Sequence, residues 1–320
     1  MDRGSGAATI GLWRFGGLIT VDELDERGSN VPISVMSKQS EFVFDRRPGV
    51  SRYRAMLGGP LALDGLLVNR ENSVLLVSLH GALNRKVTEL PRFERLATLT
   101  GLPFSSLFFA DPTLWLSSDL ELAWYVGTPE SINPHEAISQ AAATAAEFIG
   151  ASHVIFTGSS GGGFAALQCS SYLPGSVAVC FNPQTRIRNY RVDGYGLGPQ
   201  RRFLSLVCPE SLSDGLEALS PDDDLQRELG ERTSVLRRYA IPRANGVVLF
   251  QNVNDDHHYI DHYLPFREVR GDGTATTYVE TVGPSGHVIP DAQEVRHGIE
   301  LGIEASVALS GSGVNWPFLI

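Results

Sequence analysis

The sequence predicts an α/β protein: a mostly parallel, twisted sheet flanked by helices. Short apolar runs recur from about residue 72 onward: SVLLVSLH (73–80), SLFFAD (106–111), LAWYVGT (122–128), HVIFTG (153–158), SVAVCFN (176–182), GVVLFQN (246–252) and TTYVETVG (276–283). They are apolar on both faces, as strands are in a sheet covered on both sides. Helical segments lie between them, most clearly PHEAISQAAATAAEFIGA (134–151), which is Ala-rich with apolar residues at helical spacing. Strand and helix alternating over this length is the pattern of a parallel α/β sheet.

The rest of the chain departs from that rhythm in two places. Within residues 1–70, the runs GLITVDEL, VPISVMS and SEFVFDRR are broken by Gly, Pro and Asn and read as strands and hairpins. Residues 1–70 are therefore expected to form a β-rich N-terminal extension, and 71–320 the core. Residues 184–245 hold RIRNYRVDGYG, the acidic PDDDLQREL and the helical SVLRRYA. So long an insertion between core strands reads as a lid over a site. The closing SGSGVNWPFLI is expected to dock back onto the body.

Composition narrows the function classes. At 42% hydrophobic and 19% charged residues over 320 positions, the chain can bury a sizeable core. A formal net charge of −10, with only short basic clusters such as Arg186 to Arg188, excludes the basic face that nucleic-acid binding requires. The cysteines Cys169, Cys180 and Cys208 have no paired spacing for a disulfide framework or a zinc site, and Cys169 and Cys180 read as small core hydrophobes. The N-terminus lacks a continuous apolar signal segment, and no stretch approaches the about 20 apolar residues a membrane span needs. A cytoplasmic protein is expected, with its oligomeric state open.

The stretch VIFTGSSGGGFAALQ (154–168) carries the chemistry. Gly158-Ser159-Ser160-Gly161-Gly162 satisfies G-x-S-x-G, between a strand and a helix. Such a turn strains the backbone of its central residue and presents Ser160 at the carboxyl edge of the sheet. The amide of Gly161 then points at a developing oxyanion. A phosphate loop would need a Lys after the turn, and the dinucleotide fingerprint G-x-G-x-x-G does not fit. A nucleophilic serine needs a base. His287, in the loop VGPSGHVIPD after the last strand, is the best placed; His135 and His153 sit at element starts and His297 on a surface helix. The base needs a carboxylate, and GVVLFQN exits into Asp255 and Asp256, of which Asp255 lies closer to the strand. A second oxyanion donor is expected from the His80-Gly81-Ala82 turn, through the Ala82 amide. Ser159, His80, Gly81, Asp256 and His258 are candidate pocket residues.

On these residues, over about 70–305, the chain resembles the α/β-hydrolase superfamily; Ser160, Asp255 and His287 follow one another in the order that architecture expects. A looser likeness, of layout alone, is to accessory secretory acetyltransferases. The elbow departs in having Ser and Gly at its variable positions, so Ser159 rivals Ser160. The β-rich N-terminus has no counterpart in minimal hydrolases.

The segment DDHHYIDHYLPF (255–266) puts His258 and His262 four residues apart, a spacing that suits a metal. It misses the metallo-hydrolase pattern and offers no third ligand, so no metal or cofactor is expected. Its residues are expected to start a helix that supports Asp255. Asp111, before Pro112, reads as a structural cap, and Trp124 and Tyr125 as core. The function expected is a serine hydrolase acting on a small-molecule acyl or ester substrate through an acyl-enzyme. The alternatives are an O-acyltransferase using a sugar or alcohol acceptor, or a catalytically silent binding protein on the same fold.

Overall fold

The computed structural model describes residues 12–14, 17–19, 23–36, 43–191, 198–209, 229–270 and 275–311. The acidic run at 221–228, the Arg-Tyr-rich stretch beyond 191 and the final residues 312–320 lie outside them, as do residues 1–11, the larger part of the N-terminal segment read for a signal.

The strands run β1 Leu12–Arg14, β2 Gly17–Ile19, β3 Ile33–Met36, β4 Gly49–Gly58, β5 Leu61–Asn69, β6 Val74–Leu79, β7 Ser105–Phe109, β8 His153–Ser159, β9 Val177–Phe181, β10 Gly246–Asn252 and β11 Thr276–Thr281. All belong to one sheet, in the order β11-β10-β9-β8-β6-β7-β5-β4-β1-β2, with β3 also pairing with β4. From β7 through β6 to β11 every neighbouring pair is parallel. β5 runs antiparallel to both β7 and β4. The N-terminal strands thus extend the core sheet through β5.

Each core strand divides its side chains between two apolar layers, because successive residues point to opposite faces. On one face Leu75, Val77 and Leu79 of β6 pack with helices α2 (Pro134–Ile149) and α3 (Gly161–Ser170). On the other, Val74 and Leu76 pack with α1 (Leu96–Thr100) and the helix Ala292–Gly311. Each fully buried Leu or Val contributes about 1.5–3 kcal/mol, so strands apolar on both faces stabilise only a doubly covered sheet. The helix α2 starts as its sequence dictates. Asn133 accepts from the His135 N–H at 3.1 Å, Pro134 occupies the first turn, and Gly150 ends the helix in the left-handed region at φ 73°.

Two strand expectations fail. LAWYVGT forms no strand; Trp124 and Tyr125 are left-handed at φ 51° and 59°. Its apolar character serves burial in a loop, where Asp111 Oδ2 accepts from the Tyr125 N–H at 2.8 Å, and a short apolar run does not distinguish the two. Residues 43–47 of SEFVFDRR likewise carry no strand, and the true hairpin is the next segment, β4–β5.

Candidate active site

The exits of β6, β8, β10 and β11 lie at one edge of the sheet because these strands are parallel. At the β8 exit, Ser160 has φ 55° and ψ −119° and is the residue from which α3 starts. A non-glycine residue there costs about 1–3 kcal/mol. The surroundings hold it: its N–H donates to Phe181 O at 3.0 Å, and its carbonyl accepts from Phe164 N at 3.0 Å and Gln184 N at 3.3 Å. Two glycines make the turn sterically possible. A Cβ on Gly158 would stand 2.4 Å from the Gly162 carbonyl, and one on Gly162 would stand 2.3 Å from Leu79 O. Of the two serines, Ser160 occupies the strained position. Ser159 ends β8, still paired opposite Phe181, and borders a small cavity with Glu94 and Thr157.

Asp255 follows β10 and is buried at 3% exposure. Its Oδ2 lies 2.8 Å from His287 Nδ1. His258 Nδ1 straddles the same carboxylate, 3.1 Å from Oδ1 and 3.0 Å from Oδ2, and the His258 backbone N–H also donates to Oδ1 at 3.3 Å. The imidazoles of His258 and His287 stack with centroids 4.1 Å apart and planes 16° apart. Burial alone would raise the Asp255 pKa, but the hydrogen bonds from His258 and His287 outweigh it and hold the carboxyl well below its usual range. Burial pushes His258 down to about 4, with the Asp255 bond only partly offsetting it. Asp256, the neighbouring carboxylate, is exposed and makes none of these bonds.

Side-chain amides tie down the loop carrying His287. Asn252 Oδ1 accepts from Gly283 N at 2.9 Å while its Nδ2 donates to Pro284 O at 2.8 Å. Asn254 Nδ2 donates to Gly283 O at 2.6 Å, and Asn182 Nδ2 to Val288 O at 3.1 Å. All three asparagines leave the sheet at the ends of β9 and β10.

The turn after β6 lies against the elbow; a Cβ on Gly81 would meet Ser159 O at 3.1 Å. The neighbouring amides are engaged: His80 N donates to Tyr125 Oη at 2.8 Å, Gly81 N to Glu94 Oε2 at 3.1 Å and Leu83 N to Glu121 O at 2.8 Å. The Ala82 N–H has no partner among the described residues, and Gly161, as the first residue of α3, has no intrahelical acceptor. His80 is buried and fully bonded within the turn. It is 1% exposed, its Nε2 accepts from the Asp111 N–H at 2.9 Å, and its Nδ1 therefore carries the proton given to Gly81 O at 2.8 Å. It braces the turn, together with Asp111 and Tyr125.

Sequence reasoning missed Gln184. This fully buried residue, just past β9, donates from Nε2 to Ser160 Oγ at 2.7 Å. The same nitrogen lies 3.4 Å from His258 Nε2, and Oε1 accepts from the Trp124 indole N–H at 2.7 Å. The available signal was its place in FNPQT, at a core strand's carboxyl end; assigning residues from 184 onward to a lid hid it. The expected grip of imidazole on serine is absent: among the described residues no hydrogen bond joins His287 to Ser160, whose oxygen accepts from Gln184 instead. Accepting that bond leaves the hydroxyl hydrogen free to be given to a base.

Asp255, His258 and His287 offer three ligand atoms within 4.8 Å of one another. Stacked, nearly parallel rings send their in-plane lone pairs side by side and do not converge on one ion. The nitrogen–oxygen separations are those of direct hydrogen bonds. The arrangement fits two protonated Nδ1 atoms on one carboxylate better than a metal.

No family model matches the sequence, and no curated protein sequence matches it. Solved structures do. The chain is similar to carboxyl esterase 2 from the mycorrhizal fungus Tuber melanosporum, at 16% identity and a TM-score of 0.53, over 88% of this chain and 93% of that one. It is also similar to puromycin hydrolase, at 14% identity and a TM-score of 0.55, over 85% of this chain but only 41% of that one. The likeness to the capsule O-acetyltransferase of Neisseria meningitidis serogroup A has 14% identity and a TM-score of 0.50, over 79% of this chain and 93% of that one. At these identities the likeness establishes the fold: the chain has the α/β-hydrolase fold.

Proposed function

We propose that the protein is a serine hydrolase that cleaves ester-type bonds of a small-molecule substrate through an acyl-enzyme. One observation carries the reading. A serine in a strained strand-to-helix turn shares a sheet edge with His287, whose Nδ1 is bonded to a buried carboxylate at 2.8 Å. That bond fixes the tautomer with its lone pair on Nε2, the nitrogen a general base needs. Catalytic hydrogen bonds are often long before substrate arrives, so the open link between His287 and Ser160 is expected to close in the complex.

In the first half-reaction Ser160 Oγ attacks the carbonyl carbon as its proton passes to His287 Nε2. The carbonyl oxygen takes the charge and accepts from the Ala82 and Gly161 N–H groups. One such donor is worth about 3 kcal/mol in the transition state. Collapse expels the alcohol, which leaves with the proton from His287. In the second, His287 takes a proton from water, the hydroxide attacks the acyl carbon, and Ser160 is released with that proton.

Labelling with a fluorophosphonate tests the reading. The wild-type protein is expected to react and Ser160→Ala to stay unlabelled; a wild type that does not react, or an alanine variant that still does, overturns it. An inert wild type would instead indicate a silent binding protein. Acyl transfer to a sugar or alcohol hydroxyl uses the same residues as far as the acyl-enzyme. Product analysis with added acceptors separates it from hydrolysis.

A further inference from the structure

We propose that Gln184 is an additional catalytic residue whose amide N–H stabilises negative charge on the Ser160 oxygen as its bond to the acyl carbon forms and breaks. The inference rests on the serine-hydrolase reading and deepens it. The contact is direct, with Nε2 2.7 Å from Oγ. The amide has one possible orientation. The Trp124 indole is a donor only and sits 2.7 Å from the other end of the amide, so that end is the oxygen and the NH2 faces the serine. The second hydrogen of the NH2 points toward His258 Nε2, 3.4 Å away. That nitrogen can accept because His258 Nδ1 carries its proton to Asp255. The buried carboxylate therefore supports the serine along two routes, through His287 as base and through His258 and Gln184 as a fixed donor. Trp124, Gln184 and His258 are all buried, so water does not compete for the amide.

The chemistry gives such a donor work at two moments. As Ser160 loses its proton to His287, charge builds on Oγ before the bond to carbon is complete. When the deacylation intermediate collapses, the carbon–Oγ bond breaks and Oγ again carries charge until His287 returns the proton. Gln184 transfers no proton in either step. Its hydrogen bond strengthens as charge appears and relaxes as charge leaves, which is the behaviour that speeds a reaction.

The test is the rate constant of fluorophosphonate labelling, measured with melting temperature on the full chain. Gln184→Met keeps length and bulk and removes both donors. Labelling is expected to slow about 10- to 100-fold, the range for a hydrogen bond to a charged oxygen, with the variant folded. Trp124→Phe removes only the indole N–H that orients the amide, and a smaller slowing is expected; it keeps the question open to measurement if Gln184→Met does not fold. An unchanged or faster rate in folded Gln184→Met, or in Trp124→Phe where the first variant does not fold, overturns the inference. Faster labelling would mean that the amide restrains the serine. Either result leaves the serine reading standing, since that falls only if the wild type is not labelled or Ser160→Ala is.

Discussion

The proposed nucleophile and the proposed base reach the same edge of the sheet by opposite means. Ser160 is placed by backbone: a strand feeds directly into a helix, and main-chain atoms approach so closely that Gly158 and Gly162 admit no side chain. His287 is placed by side chains. Its loop leaves an edge strand, its ring is 32% exposed, and amide groups from Asn182, Asn252 and Asn254 hold it. Backbone placement is rigid and fails by misfolding. Side-chain placement is adjustable and fails by losing alignment.

The largest effect is expected where the base arm narrows to one residue. Asp255→Asn presents an NH2 group to the two imidazoles and disfavours the tautomer with its lone pair on His287 Nε2. Turnover should fall about 10⁴-fold while the protein stays folded, as steady-state kinetics and circular dichroism would report. A variant with near-normal turnover would remove Asp255 from the proposed chemistry.

On the nucleophile's side, Gly162→Ala puts a methyl 2.3 Å from Leu79 O and 2.9 Å from His80 C. Neither backbone atom can give way cheaply, and a loss of about 3 kcal/mol is expected in denaturant titration. Asn252→Ala offers the counterpart: the side-chain bonds to Gly283, Pro284 and Gly286 are lost, with about 1 kcal/mol of stability and a kcat lowered roughly 10-fold with KM little changed. Equal destabilisation by the two variants would erase the distinction between the arms.

The gentlest effect is in pH. His258 has its pKa lowered from 6.5 to about 4, so the unfolded chain binds the proton first. Its contribution to stability is present above pH 6.5 and is lost as pH falls to about 4. His135, held near 3 by burial, and His262, also lowered, add to the same decline. Thermal melting over this range should slope downward toward acid, and His258→Asn should flatten the slope; an unaltered slope would take His258 out of it.

The parts of this site readable in the sequence were those with a local pattern. G-x-S-x-G between a strand and a helix marks its turn because only small residues allow the crossing. Asp255 and His287 stand just past apolar runs, so strand boundaries located them. Gln184 has no such pattern: its importance depends on Trp124, 60 positions away, folding back in a left-handed turn that reads as a strand. The sequence places His258 as support for Asp255; its stacking on His287 arises only when the β10 and β11 exits meet. The hairpin β4–β5 leaves little period-two signal because β5 is buried throughout.

One carboxylate shared by two imidazoles stacked 4.1 Å apart has a consequence for proton traffic. Asp255 can neutralise a single cation, and a second would set like charges face to face. In the proposed reaction, while His287 holds the hydrogen taken from the serine, a charge on its stacked neighbour would face it across 4.1 Å, so the cluster favours carrying one proton at a time.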